Sequence, residues 1–456
     1  MATLFSGAGG LDSGFAQSGK FKMLLANDVL YSPAETYSKN FNHRIVEVSE
    51  FSSKSKLPVY VVGDISKIDF SPLGKLDCIV GGPPCQDFSI TRGKSERRGI
   101  EVTRGKLYSH FIRSLIRTQP KVFVFENVPG LISANKGNAY KIIKEDFLKM
   151  HVRWSEIKDG INSIANDAKN YSLIFSDIVD ASKVGVPQRR KRLIIIGVKE
   201  DKVRWPLDNE LRQRAETILH GKKNLLSRYP LTTLEVFEGK TIPELATDYE
   251  EIMKEYEDVA KKVKTPVAQR WYKNVWKLLT FDIISDYLSA NDIKPKSKEE
   301  ITNAFKEHEE ILQKLGYGGN PLEGKYFKDE SNELPNEGEG VVERMKMIPP
   351  DMNSTFVNGT KWKVESRGMS HIYRRLHPLK PAYTVLAYGG GGTWSYHYRR
   401  SRARLTNRER ARLQTFPDSY MFEGGVSEVR AQIGEAVPVL LGKKLANIVE
   451  TVLEKI

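Results

Sequence analysis

The stretch Leu76-Asp77-Cys78-Ile79-Val80-Gly81-Gly82-Pro83-Pro84-Cys85-Gln86 joins a short apolar run to a stiff turn. The apolar run predicts a buried strand, and the two prolines restrict the backbone directly after it. A strand followed by a rigid turn presents one side chain at the carboxyl edge of a sheet. Cys85 in this position is typical of a nucleophile, although a buried structural cysteine is the alternative, because free cysteines are among the most buried residues.

Around this strand, β-rich runs alternate with helical stretches over residues 1–198. Several runs are continuously apolar, as expected for strands that are covered on both faces. The pattern predicts an α/β fold with an open, doubly wound, Rossmann-like sheet. The predicted strands are residues 2–5, 23–26, 59–62, 78–80, 122–125, 172–178 and 192–198, and the predicted crossover helices include residues 108–118 and 140–150.

The character of the chain changes after residue 198. Residues 244–263 and 297–316 are rich in Lys and Glu with apolar residues at helical spacing, which predicts surface helices. Residues 316–340 are punctuated by Gly and Pro and predict a loop. A helical pattern returns near the end of the chain, so the predicted segments are 1–198, 199–427 and 428–456, with the last returning to the first.

The composition favours a polyanionic partner. The chain has 456 residues with 71 Lys and Arg against 57 Asp and Glu, for a formal net charge of +14. Its two cysteines form neither a disulfide framework nor a zinc signature, so we expect no metal and a reducing compartment. Neither a signal peptide nor a membrane segment is apparent, and we expect a soluble, intracellular protein.

A glycine-rich loop, Phe5-Ser6-Gly7-Ala8-Gly9-Gly10, follows the first predicted strand. Glycines let the backbone approach a ligand closely, and the following helix directs its N-terminus at negative groups. Asp28 and Asp64 follow the next two predicted strands, where one could accept hydrogen bonds from a ribose and the other from an adenine amino group. The three loops together predict a nucleoside site, although each aspartate alone could be a helix cap.

Two further motifs carry polar groups next to apolar strands. Glu126 ends the run Phe123-Val124-Phe125 and is suited to donating or sharing a proton. Gln188, Arg190 and Arg192 alternate in a basic segment, so they would share one face of a strand. The alternatives are an ion-paired glutamate and a solvated basic patch.

In this order, the motifs resemble those of the DNA (cytosine-5)-methyltransferase family of prokaryotic restriction–modification systems. The matching segments are residues 5–10, 83–86, 104–107, 126–128, 188–192, 404–418 and 432–438. The resemblance implies an S-adenosylmethionine-dependent catalytic domain over 1–198, a smaller target-recognition domain over 199–427, and a C-terminal helix over 428–456. It also implies that residues 344–362 and 374–392 face DNA.

The resemblance implies a role for each motif residue. Cys85 would attack C6 of a flipped-out cytosine, Glu126 would contact N3, and Arg190 and Arg192 would organise the base pocket. Glu435 stands where the family usually has Asn, and its carboxylate would repel that of the cofactor. The residues implied to bind S-adenosyl-L-methionine are Phe5, Gly7, Gly9, Gly10, Leu11, Asp28, Val29, Asp64, Ile65, Pro84, Leu107 and Glu435.

The partner implied is sequence-specific double-stranded DNA, with a cognate restriction endonuclease in the same system and a monomeric enzyme in the prokaryotic cytoplasm at the nucleoid. The residues expected to contact DNA are Arg92, Arg97, Arg98, Gln188, Arg399, Arg400 and Arg402. A tRNA methyltransferase of the related family and a catalytically silent DNA-binding relative are the alternatives. The chain lacks the Cys-Phe-Thr signature of the former, and its intact Cys85, Glu126 and Arg192 argue against the latter.

Overall fold

The computed structural model describes residues 1–84, 107–152, 168–222, 224–364, 372–389 and 392–456. These residues form two compact units. The first unit contains residues 1–184, 191–223 and 436–456, and the second contains residues 185–190 and 224–435.

The secondary structure is mixed α/β. The strands are β1 (Ala2–Leu4), β2 (Leu25–Asp28), β3 (Arg44–Glu47), β4 (Val59–Val62), β5 (Cys78–Gly81), β6 (Val122–Asn127), β7 (Tyr171–Asp180), β8 (Gln188–Arg189), β9 (Lys191–Lys199), β10 (Arg374–Arg375), β11 (Ala382–Tyr383) and β12 (Ser395–Tyr396). The helices are α1 (Gly10–Ala16), α2 (Tyr31–Phe41), α3 (Leu107–Thr118), α4 (Gly130–Ser133), α5 (Asn138–Lys149), α6 (Leu207–Leu219), α7 (Thr233–Glu238), α8 (Ala246–Lys254), α9 (Val259–Lys262), α10 (Pro266–Asn274), α11 (Ile283–Ala290), α12 (Lys298–Lys314), α13 (Glu339–Met345), α14 (Asn407–Leu413), α15 (Val426–Glu435) and α16 (Val439–Lys455).

An eight-stranded sheet forms the centre of the first unit, in the order β3-β4-β2-β1-β5-β6-β9-β7. Neighbouring strands are parallel except β9, which is antiparallel to both β6 and β7. The carboxyl ends of the parallel strands therefore share one edge with the start of β9. This sheet confirms the predicted α/β fold class.

Apolar residues are buried on both faces of the sheet. Leu25 of β2 packs in a cluster with Phe111 of α3 and Phe147 of α5, whereas the adjacent Ala26 packs with Tyr37 of α2. Successive side chains of a strand point to opposite faces, so helices cover both sides. This explains why the central strands read as continuous apolar runs.

The sequence prediction missed β3, at the edge of the sheet. Its terminal residues Arg44 and Glu47 are exposed, and its inner residues are only Ile45 and Val46. A short edge strand with charged ends lacks the apolar run of a central strand, which is why its pattern is weak.

The two units divide the chain at positions that differ from the predicted boundaries at 198 and 427. Helix α6, which follows residue 198, contacts β7 and α16 and therefore belongs to the first unit. Helix α15 belongs to the second unit, and Pro438 separates it from α16. Residues 185–190 also belong to the second unit, although they lie within the predicted first domain.

The C-terminal helix α16 packs closely against α1 in the first unit. A Cβ atom added at Gly14 would lie 2.4 Å from the backbone nitrogen of Lys443 and 2.5 Å from the carbonyl oxygen of Val439. A Cβ atom at Gly442 would lie 2.7 Å from the carbonyl oxygen of Leu11. Two glycines therefore allow the two helix backbones to touch.

The second unit is largely helical and contains two short parallel strand pairs, β8 with β11 and β10 with β12. The segment predicted as one helix over 244–263 forms α8 and α9 instead, whereas 297–316 contains the single helix α12. Ser297 caps α12 by accepting a hydrogen bond from the backbone nitrogen of Glu300. Within the described part of the chain, no helix combines the length and apolar character needed to cross a membrane.

Candidate active site and cofactor loops

The turn after β5 is held against the end of β6. The side-chain nitrogen of Asn127 donates a hydrogen bond to the carbonyl oxygen of Pro83 at 3.1 Å. A Cβ atom at Gly82 would lie 2.6 Å from Oε2 of Glu126, so only glycine lets this turn approach the carboxylate. Cys85 follows directly and lies outside the described residues.

Glu126 and Arg192 form an ion pair at the shared edge of the sheet. The distance from Nε of Arg192 to Oε1 of Glu126 is 2.8 Å, and the two side chains are only 15% and 12% exposed. The antiparallel pairing of β6 with β9 places the carboxyl end of one strand beside the amino end of the other. Burial lowers the pKa of Arg192, and the charge of Glu126 opposes this shift. A largely desolvated carboxylate therefore lies beside the prolyl turn with its charge balanced.

Cys78, the other cysteine, is fully buried within β5. Burial raises the pKa of its thiol to about 12. The thiolate is the reactive form, so Cys78 is unsuited to act as a nucleophile at neutral pH.

The glycine loop is fixed by the acidic end of β2. The backbone nitrogen of Gly7 donates to Oδ2 of Asp28 at 3.0 Å, and that of Val29 donates to Oδ1 at 2.7 Å. Burial raises the pKa of Asp28, and these backbone hydrogen bonds oppose the rise. The Tyr60 hydroxyl donates to the carbonyl oxygen of Gly7 at 3.0 Å. At Gly7, with φ +51°, a Cβ atom would meet no atom of the described residues within 4 Å, so open space adjoins the loop in this part of the structure.

An apolar surface lies beside Asp28. Val29, Leu30 and Tyr31 are all exposed, an unusual run of large apolar side chains in contact with solvent. Such a surface is suited to packing against a planar ring.

Asp64 is exposed at the end of β4 and accepts a hydrogen bond from the backbone nitrogen of Ser66 at 2.9 Å. The weak burial of this carboxyl raises its pKa, but the Ser66 hydrogen bonds outweigh that effect and lower it. Asp64 thus caps the short 3-10 turn Ile65–Lys67, as the alternative interpretation expected. Its carboxylate still lies at the same sheet edge as Asp28, since β2 and β4 are parallel neighbours.

The other residues predicted to bind cofactor differ in exposure. Phe5 is half-buried with φ +56°, and Leu107, the first residue of α3, is also half-buried. Pro84 is exposed. The buried members of the predicted set are Gly9, Gly10, Leu11 and Ile65.

Gln188 and Arg190 are buried inside the second unit. The Gln188 amide donates to the carbonyl oxygen of Leu413 and accepts from the backbone nitrogen of Val385 at 2.8 Å. Arg190 donates to the carbonyl oxygens of Val385 at 3.0 Å and of Gly434 at 2.8 Å. Both side chains therefore hold backbone segments together, and the contacts predicted for Gln188 with DNA and for Arg190 with the base stay predictions. Of these three alternating residues, Arg192 is the one shown to pair with Glu126 within the described part of the chain.

Glu435 is exposed at the last position of α15. The preceding Gly434 packs directly against the backbone, because a Cβ atom there would lie 2.2 Å from the nitrogen of Ala387. The contact fixes the end of α15 within the second unit.

The three arginines predicted to bind DNA after residue 398 are mostly buried and ion-paired. Arg400 contacts Asp258 at 2.7 Å, and Arg402 contacts Glu409 at 2.8 Å. Arg399 lies 3.9 Å from a carboxylate oxygen of Glu255 in a longer pair. These pairs favour a role in shaping the segment. The other predicted DNA contacts, Arg92, Arg97 and Arg98, lie outside the described residues.

Sequence reasoning missed a buried arginine that supports this segment. Arg375 is fully buried and donates to the carbonyl oxygens of Ile348 at 2.7 Å and of Arg399 at 2.7 Å. It also donates to the carbonyl oxygens of His397 and Met345. In the sequence it is one basic residue among many, so only its contacts distinguish it.

Sequence reasoning also missed a buried carboxylate beneath the glycine loop. Asp12 of α1 accepts hydrogen bonds from the hydroxyl of Thr3 and, at 3.0 Å, from that of Tyr37. Burial raises its pKa to about 6, and the two hydroxyl donors oppose the rise. The sequence does offer one indication, because Asp12 is the one charged residue among the small and apolar residues of α1.

Known proteins resemble the chain over its whole length. A DNA (cytosine-5-)-methyltransferase, M.ApeKI of Aeropyrum pernix, is 52% identical over 100% of this chain and 98% of that protein. The type II methyltransferase M.NgoFVII of Neisseria gonorrhoeae is 31% identical over 100% of this chain and 88% of its own. The type II methyltransferase M.BbvI of Brevibacillus brevis is 30% identical over 95% of this chain and 86% of its own.

Among solved structures, a DNA modification methyltransferase encoded within a prophage (E.coli) has the same fold. It matches with a TM-score of 0.56 at 21% identity, over 99% of both chains. The sequence pattern of the C-5 cytosine-specific DNA methylases matches residues 1–450. The chain therefore belongs to the C-5 cytosine-specific DNA methylase family and is a DNA (cytosine-5-)-methyltransferase.

Proposed function

We propose that this enzyme transfers a methyl group from S-adenosyl-L-methionine to C5 of a flipped-out cytosine in duplex DNA, through a covalent bond between Cys85 and C6. The observation that carries the proposal is the buried ion pair of Glu126 and Arg192. It lies against Gly82, three residues before Cys85.

The chemistry explains why a thiol and a carboxyl are needed together. C5 of cytosine is a poor nucleophile, and addition of the Cys85 thiolate to C6 makes the ring enamine-like. Negative charge develops on the ring during this addition, and a proton shared between Glu126 and N3 stabilises it. Once C5 carries the methyl group, its proton passes to solvent water, and the electrons of the C5–H bond expel the Cys85 thiolate from C6 and restore the aromatic ring.

Arg192 acts as a positioning and electrostatic group in this proposal. Its 2.8 Å contact holds the Glu126 carboxyl in one orientation. Its positive charge also stabilises charge on the neighbouring O2 side of the base. The cytosine must leave the stack to reach this edge of the sheet, because a paired base is enclosed by the duplex.

Three features of the first unit support the proposal that S-adenosyl-L-methionine binds there. The open space at Gly7 admits a ligand to the loop, Asp28 offers carboxylate oxygens to a ribose, and Val29 offers an apolar surface. When bound, the cofactor supplies an electrophilic methyl group. We assign Phe5, Gly7, Asp28, Val29 and Asp64 to its nucleoside and amino acid portions.

Duplex DNA is the substrate, and the net charge of +14 favours its approach. Arg92, Arg97 and Arg98 are proposed to contact it, and the ion-paired arginines after residue 398 support the segment that faces it. Because M.NgoFVII and M.BbvI are named type II methyltransferases, we propose that this enzyme protects host DNA against a cognate endonuclease in a prokaryotic cytoplasm. We propose that it acts as a monomer.

The test is methyl transfer from labelled cofactor to unmethylated, mixed-sequence duplex DNA, followed by base-resolution mapping. We expect C5-methylcytosine in one short sequence context, and loss of all transfer with Cys85→Ser. Ser89→Ala, a nearby change outside the proposed chemistry, is the matched control and should retain activity. Transfer to tRNA alone, or cofactor binding without transfer to DNA, would overturn the proposal.

A further inference from the structure

Two arginines contact one aromatic ring in the second unit. The guanidinium carbon of Arg430 is 4.4 Å from the ring centroid of Trp394, and that of Arg410 is 5.1 Å from the same centroid. Trp394 is buried, so its indole is a fixed surface for both cations. Cation–π contacts of this kind hold a guanidinium in one orientation.

Neither arginine has an anionic partner among the described residues, although one of the two is buried. Arg410 is only 2% exposed, and its Nε is buried without a hydrogen-bond acceptor. Nε of Arg430 is likewise buried without an acceptor. Among the described residues, neither guanidinium forms an ion pair, and the hydrogen bond of Arg430 to the hydroxyl of Ser427, at 3.1 Å, brings no negative charge.

The surrounding charges add to the positive potential. Burial, together with the charges of Arg430 and Arg404, lowers the pKa of Arg410 to about 10, while the charge of Glu409 opposes this shift. Arg404 is itself paired with Glu337. The nearby carboxylate of Glu409 is already paired with Arg402. Uncompensated buried positive charge is costly in a protein, which makes the site ready to receive an anion.

We propose that Arg430, supported by Arg410 and Trp394, is a binding site for one backbone phosphate of the DNA substrate. Arg430 is half-exposed and can reach a ligand, whereas Arg410 is buried beside the same indole and supplies charge. A guanidinium matches two phosphate oxygens, and the indole keeps it oriented. The assignment of DNA as the ligand rests on the proposed function.

The test is the salt dependence of binding to a mixed-sequence duplex. Each phosphate contact contributes about 0.9 to the slope of log K against log salt concentration. Arg430→Gln should therefore reduce the slope by about 0.9 and weaken binding about eightfold at 0.1 M salt. The loss should be equal for duplexes of different sequence, because a phosphate contact carries no base information.

Two further variants separate a phosphate contact from a structural role. Lys306→Gln in α12 removes one exposed positive charge and should leave the slope unchanged. Arg430→Lys keeps the charge but not the forked donor, so it should restore the slope while recovering only part of the affinity. Arg410→Met should weaken binding if the variant folds, and the conclusion depends on Arg430 alone if it does not.

An unchanged slope for folded Arg430→Gln would overturn this inference, even if the enzyme methylates DNA. Failure of the proposed function has a different signature, since wild-type protein would then transfer no methyl group to DNA. The two results come from separate measurements on the same protein.

Discussion

At the residue scale, the side chain that Gly82 lacks is as informative as the side chains present. A methyl group there would lie 2.6 Å from Oε2 of Glu126. Relieving this overlap requires a displacement of about 1 Å, and a misplacement of that size costs roughly a hundredfold in rate. We therefore expect Gly82→Ala to reduce methyl transfer about a hundredfold, measured as initial rate at saturating DNA and cofactor.

The control for this change is Gly338→Ala. A Cβ atom at Gly338 meets nothing within 4 Å, so activity should be unchanged. Thermal unfolding of both variants shows whether a lower rate reflects loss of folded protein. Wild-type activity of a correctly folded Gly82→Ala protein would mean that the position of Glu126 does not limit the reaction.

Asp12 gives a pH-dependent prediction for stability. Its pKa of about 6 in the folded protein exceeds the ordinary value of 3.8, so the folded state holds the proton more tightly. The stabilisation is complete below pH 3.8 and is lost as pH rises to about 6, by roughly 3 kcal/mol. We expect the wild type to lose this much free energy of unfolding relative to Asp12→Asn over that range, measured by urea denaturation.

Asp69 is the matched control for the direction in which stability changes with pH. Slight burial raises the pKa of its exposed carboxyl, but hydrogen bonds from Ser71 outweigh this effect and lower it. Comparison with Asp69→Asn should therefore show stabilisation of the wild type that increases as pH rises. A pH-independent difference between wild type and Asp12→Asn would contradict the assignment of the buried proton.

At the scale of elements, the crossing of α1 and α16 connects the two ends of the chain within the first unit. The Cβ atom of an alanine at position 14 would overlap backbone atoms of α16, which cannot rotate away. Overpacking of this kind costs about 1–3 kcal/mol. We expect Gly14→Ala to lower the free energy of unfolding by this amount, measured by urea denaturation.

Glu454→Ala is the control on the same helix, since Glu454 is exposed near the end of α16. It should change stability by less than about 0.5 kcal/mol. Equal stability of Gly14→Ala and the wild type would contradict this prediction. It would show that α1 and α16 can move apart without lowering the free energy of unfolding.

At the scale of the whole molecule, cofactor binding should stabilise the first unit selectively. S-adenosylhomocysteine at a concentration a hundredfold above its Kd should raise the free energy of unfolding by about 2.7 kcal/mol. We expect slower hydrogen exchange in residues 5–11 and 28–31, measured by mass spectrometry. Peptides from α12 in the second unit are the internal control, and protection confined to them would contradict the assigned cofactor loops.

The sequence alone determined the order of the strands along the chain and the chemistry at their ends. The central strands are continuously apolar because both faces of the sheet are buried. The sequence alone therefore predicts these strands. The positions of Glu126 and Arg192 at the ends of apolar strands followed from the same patterns. Their ion pair is what the alternative interpretation of Glu126 expected, and the base pocket stays a prediction. Edge strand β3 was missed, because its charged ends give no such signal.

Tertiary structure alone decided which partners these polar residues contact. Gln188, Arg190 and Arg192 alternate identically in the sequence. Arg192 nevertheless pairs with Glu126, whereas Gln188 and Arg190 bind backbone within the second unit. Alternation specifies the face of a strand but not what covers that face. The physical reason is that burial and partners depend on segments distant in sequence, such as Val385 for Arg190, and local patterns carry no information about them.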